Sequence, residues 1–265
     1  MTNKIHKWFE MCRELISSLL FPLRCPVCDE ILSPEEMNKG IHITCESRFF
    51  FINGATCMHC GKPIGDLNPK QNKKQFYIGE TKEYCYDCIQ KDYPRQSAIT
   101  QAKALYLYSG EMKQTMYRFK YSNKREYANY FAKQAMKQYG TWIRRAGVEV
   151  IVPVPMYEAK QRKRGYNQAE CFARELSKLL GLPCNAKLVK RIRNTMPLKG
   201  LSATERKENL KKAFQMQENV VQYSCALVVD DIYTTGSTAE AVAREMIKQG
   251  THRVYLLTIC IGGEM

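Results

Sequence analysis

No stretch of this 265-residue chain approaches the roughly 20 consecutive apolar residues that cross a bilayer, so stable membrane insertion is not expected. The opening residues, MTNKIHKWFEMCRELISSLLFPL, are studded with charges and lack the unbroken apolar core of a secretory signal. That absence points to a reducing, cytoplasmic setting, where paired cysteines hold metal more often than they form disulfides. Acidic side chains are scarce where basic ones are dense: residues 101 to 225 carry 25 Lys and Arg against 9 Asp and Glu. The formal charge of +15 therefore belongs to one segment, and a concentrated positive field favours polyanions or phosphorylated ligands. Periodic hydrophobicity is also missing between Cys25 and Cys88, a region of turns and polar runs such as NPKQNKKQ. Burial of apolar surface alone cannot fold such a segment.

Twelve cysteines supply the alternative. Four short motifs follow one another: Cys25-Pro-Val-Cys28, His42-Ile-Thr-Cys45, Cys57-Met-His-Cys60 and Cys85-Tyr-Asp-Cys88. A two-residue spacer lets both side chains of one turn reach a single tetrahedral ion. Sequential pairing gives Cys25, Cys28, His42 and Cys45 for one zinc ion, and Cys57, Cys60, Cys85 and Cys88 for a second. Pairing the first knuckle with the third is the arrangement that spacing leaves open. His42 repeats the knuckle spacing ahead of Cys45 and completes a four-ligand set, whereas His59 lies inside a knuckle and is expected to point away. With all ligands spent on structure, neither ion has an open catalytic position. Cys12, Cys171, Cys184, Cys225 and Cys260 lack this spacing and read as small buried residues.

The remaining pattern divides the chain into three. Ile5, Trp8, Phe9, Cys12, Leu15, Ile16, Leu19 and Leu20 recur at helical spacing, so residues 1–22 read as an amphipathic helix that Pro22 ends. Residues 23–95 hold the knuckles. From 100 to 265 strands alternate with helices: AKALYLYSG, the β-branched run VEVIVPVP, CALVVDD and RVYLLTICIG read as strands. Ala169, Phe172, Ala173, Leu176, Leu179 and Leu180 share one helical face that Gly181 and Pro183 terminate. Ala239, Val242, Ala243 and Met246 form a second face before Gly250. The expected fold class is α/β, a mostly parallel sheet flanked by helices.

The stretch Ala226 to Thr238, ALVVDDIYTTGST, carries the most chemistry. A buried strand ends in Asp230 and Asp231, and Thr234, Thr235, Gly236, Ser237 and Thr238 follow at the mouth of a helix. Successive backbone N–H groups, hydroxyls and a glycine that permits close approach make an anion cradle. Adjacent carboxylates would repel an anion unless they accepted hydrogen bonds from something attached to it, and a vicinal diol does so. Diol plus phosphate describes a ribose 5-phosphate.

On these residues the stretch resembles the phosphoribosyl pyrophosphate motif of type I phosphoribosyltransferases. The chain from about Leu20 to Gly262 resembles the ComF family of competence proteins, which join a double zinc ribbon to that domain. RGYNQAE at 164 to 170, FKYSNKREYA at 119 to 128 and TMPLKGLSATERKENLKKAF at 195 to 214 carry the likeness with the motifs above. It implies a type I phosphoribosyltransferase-like sheet behind an N-terminal double zinc ribbon. It also implies that Asp230 and Asp231 hold the ribose hydroxyls and take any catalytic part, and that Thr234 to Thr238 hold the 5-phosphate. Pro155, Lys160, Arg162, Lys163 and Arg164 would lie on the pyrophosphate side, Mg²⁺ would accompany phosphoribosyl pyrophosphate, and residues 194 to 210 would form a loop closing over substrate. Two positions depart from the family pattern: Leu198 stands where Thr-x-x-Gln places a glutamine, and His42 where a cysteine is usual.

Three functions follow from that likeness. The first is DNA uptake in natural transformation, with single-stranded DNA bound by the basic segment beside a helicase partner and Tyr117, Phe119, Tyr121, Tyr157 and Tyr166 stacking bases. The second is a working phosphoribosyltransferase acting on a nitrogenous acceptor. The third is a non-catalytic, nucleotide-linked sensor that uses the same pocket.

Overall fold

A computed structural model describes residues 22–64, 83–90, 92–193, 213–217 and 221–262. The helix expected over residues 5–20, the NPKQNKKQ stretch and the loop 194–210 lie outside them. In chain order the elements are short helices α1 (Pro34–Met37), α2 (Ile43–Glu46), α3 (Tyr86–Gln90) and α4 (Tyr93–Gln96), then strand β1 (Gln101–Leu107). Helices α5 (Glu111–Tyr121) and α6 (Tyr127–Arg145), strand β2 (Val150–Pro153), and helices α7 (Glu158–Arg164) and α8 (Gln168–Leu180) follow. Strands β3 (Val189–Arg191), β4 (Phe214–Met216) and β5 (Cys225–Tyr233), helix α9 (Ser237–Lys248) and strand β6 (Arg253–Ile261) complete the set.

The main sheet has the order β1-β6-β5-β2 with every ladder parallel, while β3 and β4 pair antiparallel in a separate ribbon. This is the α/β class expected from the alternating pattern. Because β5 is central and covered on both faces, its side chains from Cys225 to Val229 are all buried. Leu227 and Val229 join one hydrophobic cluster, Ala226 and Val228 the other, as the two-residue period of a strand requires. Helix α8 follows the expected pattern: the Asn167 side chain accepts the Ala169 N–H at 3.1 Å, and Gly181 leaves the helix in the left-handed conformation. The pattern reading did not single out α5 and α6. In α5 the buried face is only Met112, Thr115, Met116 and Phe119, interrupted by basic and polar residues.

β1 lies at the edge of the sheet, and the cysteine-rich segment covers it. Ile52 N–H donates to Leu105 O and Leu107 N–H to Phe50 O, each at 2.9 Å, and Ala102 N–H donates to His59 O at 2.7 Å. The unpaired groups of an edge strand are thereby partly satisfied from within the chain. Cys25, Val27 and Phe49 share a cluster with Phe119, Phe131 and Phe172, whereas Ile52, Cys57 and Cys88 share the other with Val228, Val242 and Leu256. Each half of the cysteine-rich segment thus contributes to the core on a different face of the sheet. Of the cysteines expected to be buried, Cys225 and Cys260 are, but Cys171 and Cys184 are only half-buried. Cys171 flanks the core-facing stripe of α8, and Cys184 makes a single bridge to Ile151 beside the outer strand β2.

Candidate functional site

The knuckles assemble in the sequential pairing. Cys25, Cys28, His42 and Cys45 bring their ligand atoms within 4.8 Å of one another, and Cys57, Cys60, Cys85 and Cys88 do the same. The spacing suits tetrahedral zinc, in which bonds of about 2.3 Å place sulfurs just under 4 Å apart; the Cys60 and Cys85 sulfurs are separated by 3.6 Å. His42 Nδ1 lies 3.2 Å from Cys28 Sγ while Nε2 lies 3.2 Å from the Ile31 carbonyl. A histidine that offers one ring nitrogen to the cluster and donates the other N–H to a backbone carbonyl has the usual outer support of a metal ligand. His59 is buried and outside both groups, as its place within a knuckle suggested.

Helix α5 and the start of α6 clasp the first knuckle. Thr115 Oγ1 donates to Pro26 O at 2.5 Å, and Arg118 Nη2 donates to Pro26 O and Val27 O at 3.0 and 2.6 Å. Tyr127 OH donates to Asp29 Oδ1, and Lys124 pairs with the same oxygen, both at 2.7 Å.

One residue further along α5 from Phe119, Lys120 reaches the paired aspartates. Its Nζ lies 3.0 Å from Asp231 Oδ2. Burial opposes the charged ammonium, but the Asp231 and Asp230 carboxylates outweigh it and hold Lys120 above its usual range. Asp230 Oδ1 accepts the Asp231 N–H at 2.8 Å. Burial, and after it the neighbouring Asp231 charge, push Asp230 up to about 7, with Lys120 and Arg191 acting in the opposite sense. Thr258, the register partner of Asp230 on β6, buries a hydroxyl with no hydrogen-bond partner among the described residues.

β5 leads directly into the hydroxyl loop. Gly236 sits at φ +74°, and a Cβ there would lie 2.5 Å from the Tyr233 hydroxyl, so both backbone and space require glycine. Helix α9 starts at Ser237, whose hydroxyl lies 2.9 Å from Thr235 Oγ1. Thr235, Ser237 and Thr238 are half-buried around this turn, and Thr234 is exposed.

The strand ends bring Pro155 to the same edge of the sheet, since Pro153 pairs with Val229 and the Val154 N–H donates to Val229 O at 2.9 Å. Lys160 is held below its usual range, first by partial burial and then by the charges of Arg191 and Arg164. These three cations therefore form one group, with Arg191 also acting on Asp230. Arg162 does not join it; the side chain is 71% exposed and pairs with Glu158 at 2.5 Å. The five candidate stacking rings separate in the same way: Phe119 and Tyr166 are core, Tyr157 is half-buried, and Tyr117 and Tyr121 are exposed. Sequence reasoning missed Lys120 and Arg191. Lys120 lay within the FKYSNKREYA stretch, where its family context was the available signal; Arg191 had none at short range.

A double zinc ribbon followed by a parallel α/β sheet defines the class of protein, and comparison with known sequences agrees. The double zinc ribbon domain family matches residues 16–89. The chain is 40% identical over 108 residues to competence protein F of Haemophilus influenzae, covering 40% of this chain and just under half, 47%, of that protein. It is 31% identical over 179 residues to the DNA utilization protein YhgH of Escherichia coli K12, covering 66% of this chain and 77% of that one. With competence protein ComFC of Bacillus subtilis it shares 27% over 239 residues, 86% and 90% of the two chains. The chain belongs to the ComF family. Among solved structures it is similar to adenine phosphoribosyltransferase from Saccharomyces cerevisiae, at 19% identity over 50% of this chain and 68% of that one, with a TM-score of 0.31.

Proposed function

We propose that the paired-aspartate pocket binds phosphoribosyl pyrophosphate, and that the protein uses this pocket while handling single-stranded DNA in the cytoplasm during natural transformation. The observation that carries the reading is one arrangement: two adjacent carboxylates, one paired to Lys120, immediately before a glycine turn lined with hydroxyls at the strand-end edge of a parallel sheet. Ligands bind at that edge in open α/β sheets. The carboxylates would accept from the ribose 2- and 3-hydroxyls, and the turn from Thr234 to Thr238 would take the 5-phosphate with its N–H groups. Lys160, Arg164 and Arg191 would face the pyrophosphate, which carries its Mg²⁺ with it. Zinc in the two clusters fixes the ribbon. The names of the relatives, competence and DNA utilization proteins, support the DNA role, in which a competence helicase would be the protein partner. Among the described residues no helix is long and apolar enough to cross a membrane.

Asp230 favours a second reading, catalytic transfer. A carboxyl poised near 7 can accept a proton at neutral pH. As the acceptor nitrogen bonds to ribose C1, the C1–oxygen bond to pyrophosphate breaks, the cations stabilise the departing charge, and Asp230 takes the acceptor's proton.

Thermal denaturation of the zinc-loaded protein tests the binding reading. Saturating Mg²⁺ and phosphoribosyl pyrophosphate should raise the melting temperature of the wild type; an unchanged melt defeats the pocket assignment. Pyrophosphate release across a panel of nucleobases then separates transferase from ligand site.

A further inference from the structure

The basic helix α5 does three things at once. Its inner face enters the core, Thr115 and Arg118 hold the first knuckle, and Lys120 holds Asp231. Its outer face, Lys113, Tyr117 and Tyr121 at four-residue intervals, is exposed. Tyr117 and Tyr121 are 64% and 63% exposed, with ring centroids 5.1 Å apart. Two tyrosines that bury so little do not serve the core. The guanidinium of Arg164 lies 4.9 Å from the Tyr121 ring centre, and Lys113 is exposed one turn beyond Tyr117. The acid nearest the stripe in sequence, Glu111, is already paired with Arg48.

We infer that the Tyr117–Tyr121 ledge is the surface on which a single strand of DNA rests, directly beside the paired-aspartate pocket; this rests on the single-strand reading above. The rings offer flat faces to successive bases, while the exposed Lys113 one turn beyond Tyr117 meets a phosphate. A duplex keeps its base faces stacked inside and cannot use the rings, whereas an unpaired strand can. The position explains why these side chains are exposed, and it puts the strand and the phosphoribosyl ligand on opposite flanks of Lys120.

The test is fluorescence anisotropy of a labelled oligothymidylate with the full zinc-loaded chain, alongside the Y117A/Y121A and Y117F/Y121F variants. Stacking on two rings predicts at least about thirtyfold weaker binding for the alanine pair and near wild-type binding for the phenylalanine pair. K113Q should make the slope of log affinity against log salt shallower by about 0.7, one phosphate contact, while Y117A/Y121A leaves that slope unchanged. If wild type binds and the alanine pair binds equally well, the ledge is refuted and the single-strand reading survives. If wild type does not bind the strand, that reading fails and the ledge with it. Equal affinity of wild type for a duplex of the same length would also overturn the ledge. Overlapping circular dichroism melts establish that the surface variants are folded.

Discussion

The cysteine–histidine clusters and the paired-aspartate site are assembled at different ranges along the chain. Each cluster draws its ligands from two knuckles with a fixed spacer, within residues 25–45 and 57–88. The paired-aspartate site draws Lys120 from α5, Arg191 from β3 and the aspartates from β5. The first kind of site is set by local turn geometry and holds a segment that has little core of its own. The second exists only after the sheet has formed. Covering β1 and feeding both hydrophobic clusters, the ribbon is part of what forms it.

That dependence predicts the largest effect. C57S/C60S should remove one ion by elemental analysis and a strong chelator both; either should unfold the ribbon and lower the cooperative melt of the whole chain, followed by circular dichroism. Ribbon loss that left the α/β melt untouched would separate the two regions. A smaller effect is expected from R118M, which strips the Pro26 and Val27 carbonyls of a donor: about 1–3 kcal/mol, read in urea unfolding of the zinc-loaded protein.

On the pocket side, D230N tests the electrostatics. The folded state holds Asp230 at about 7, above its value in the unfolded chain, so the unfolded state ionises first and this residue destabilises the fold increasingly as pH rises from about 4 to 7. D230N removes that cost. Its stability relative to wild type should therefore climb across this window and level off above it, in paired melts from acid to pH 8. A constant difference would mean that Asp230 titrates in the folded protein as it does in the unfolded chain. Smallest of all, R162A should change stability by no more than about 0.5 kcal/mol and leave phosphoribosyl pyrophosphate affinity nearly unchanged, because the side chain is exposed and turned to Glu158. A large loss of affinity would place Arg162 with Lys160 and Arg164.

The same contrast explains what was legible in the sequence. The zinc ligands, including His42, and the strand, acid pair and glycine turn of Ala226 to Thr238 could be read because each is a short pattern with a fixed geometric consequence. The four parallel strands were visible as apolar runs. Lys120 and Arg191 were not, since a lone cation in a basic segment gains meaning only from the carboxylate that tertiary packing brings to it. For the same reason Arg162, Arg164 and Lys160 looked equivalent in a row of cations. The α7 backbone separates them: Arg162 turns to solvent, Lys160 feels the charge of Arg191, and the Arg164 guanidinium lies over the Tyr121 ring. Phe119 and Tyr121, two residues apart on α5, likewise face the core and solvent respectively.

The most direct measurement is a calorimetric titration of the zinc-loaded protein with phosphoribosyl pyrophosphate and Mg²⁺, alongside D230N/D231N. Wild type should bind saturably at one site and the variant not at all at the same concentrations, with both proteins equally folded. Equal binding by the two would show that the ligand rests on the surrounding cations and that the paired aspartates do not form its site.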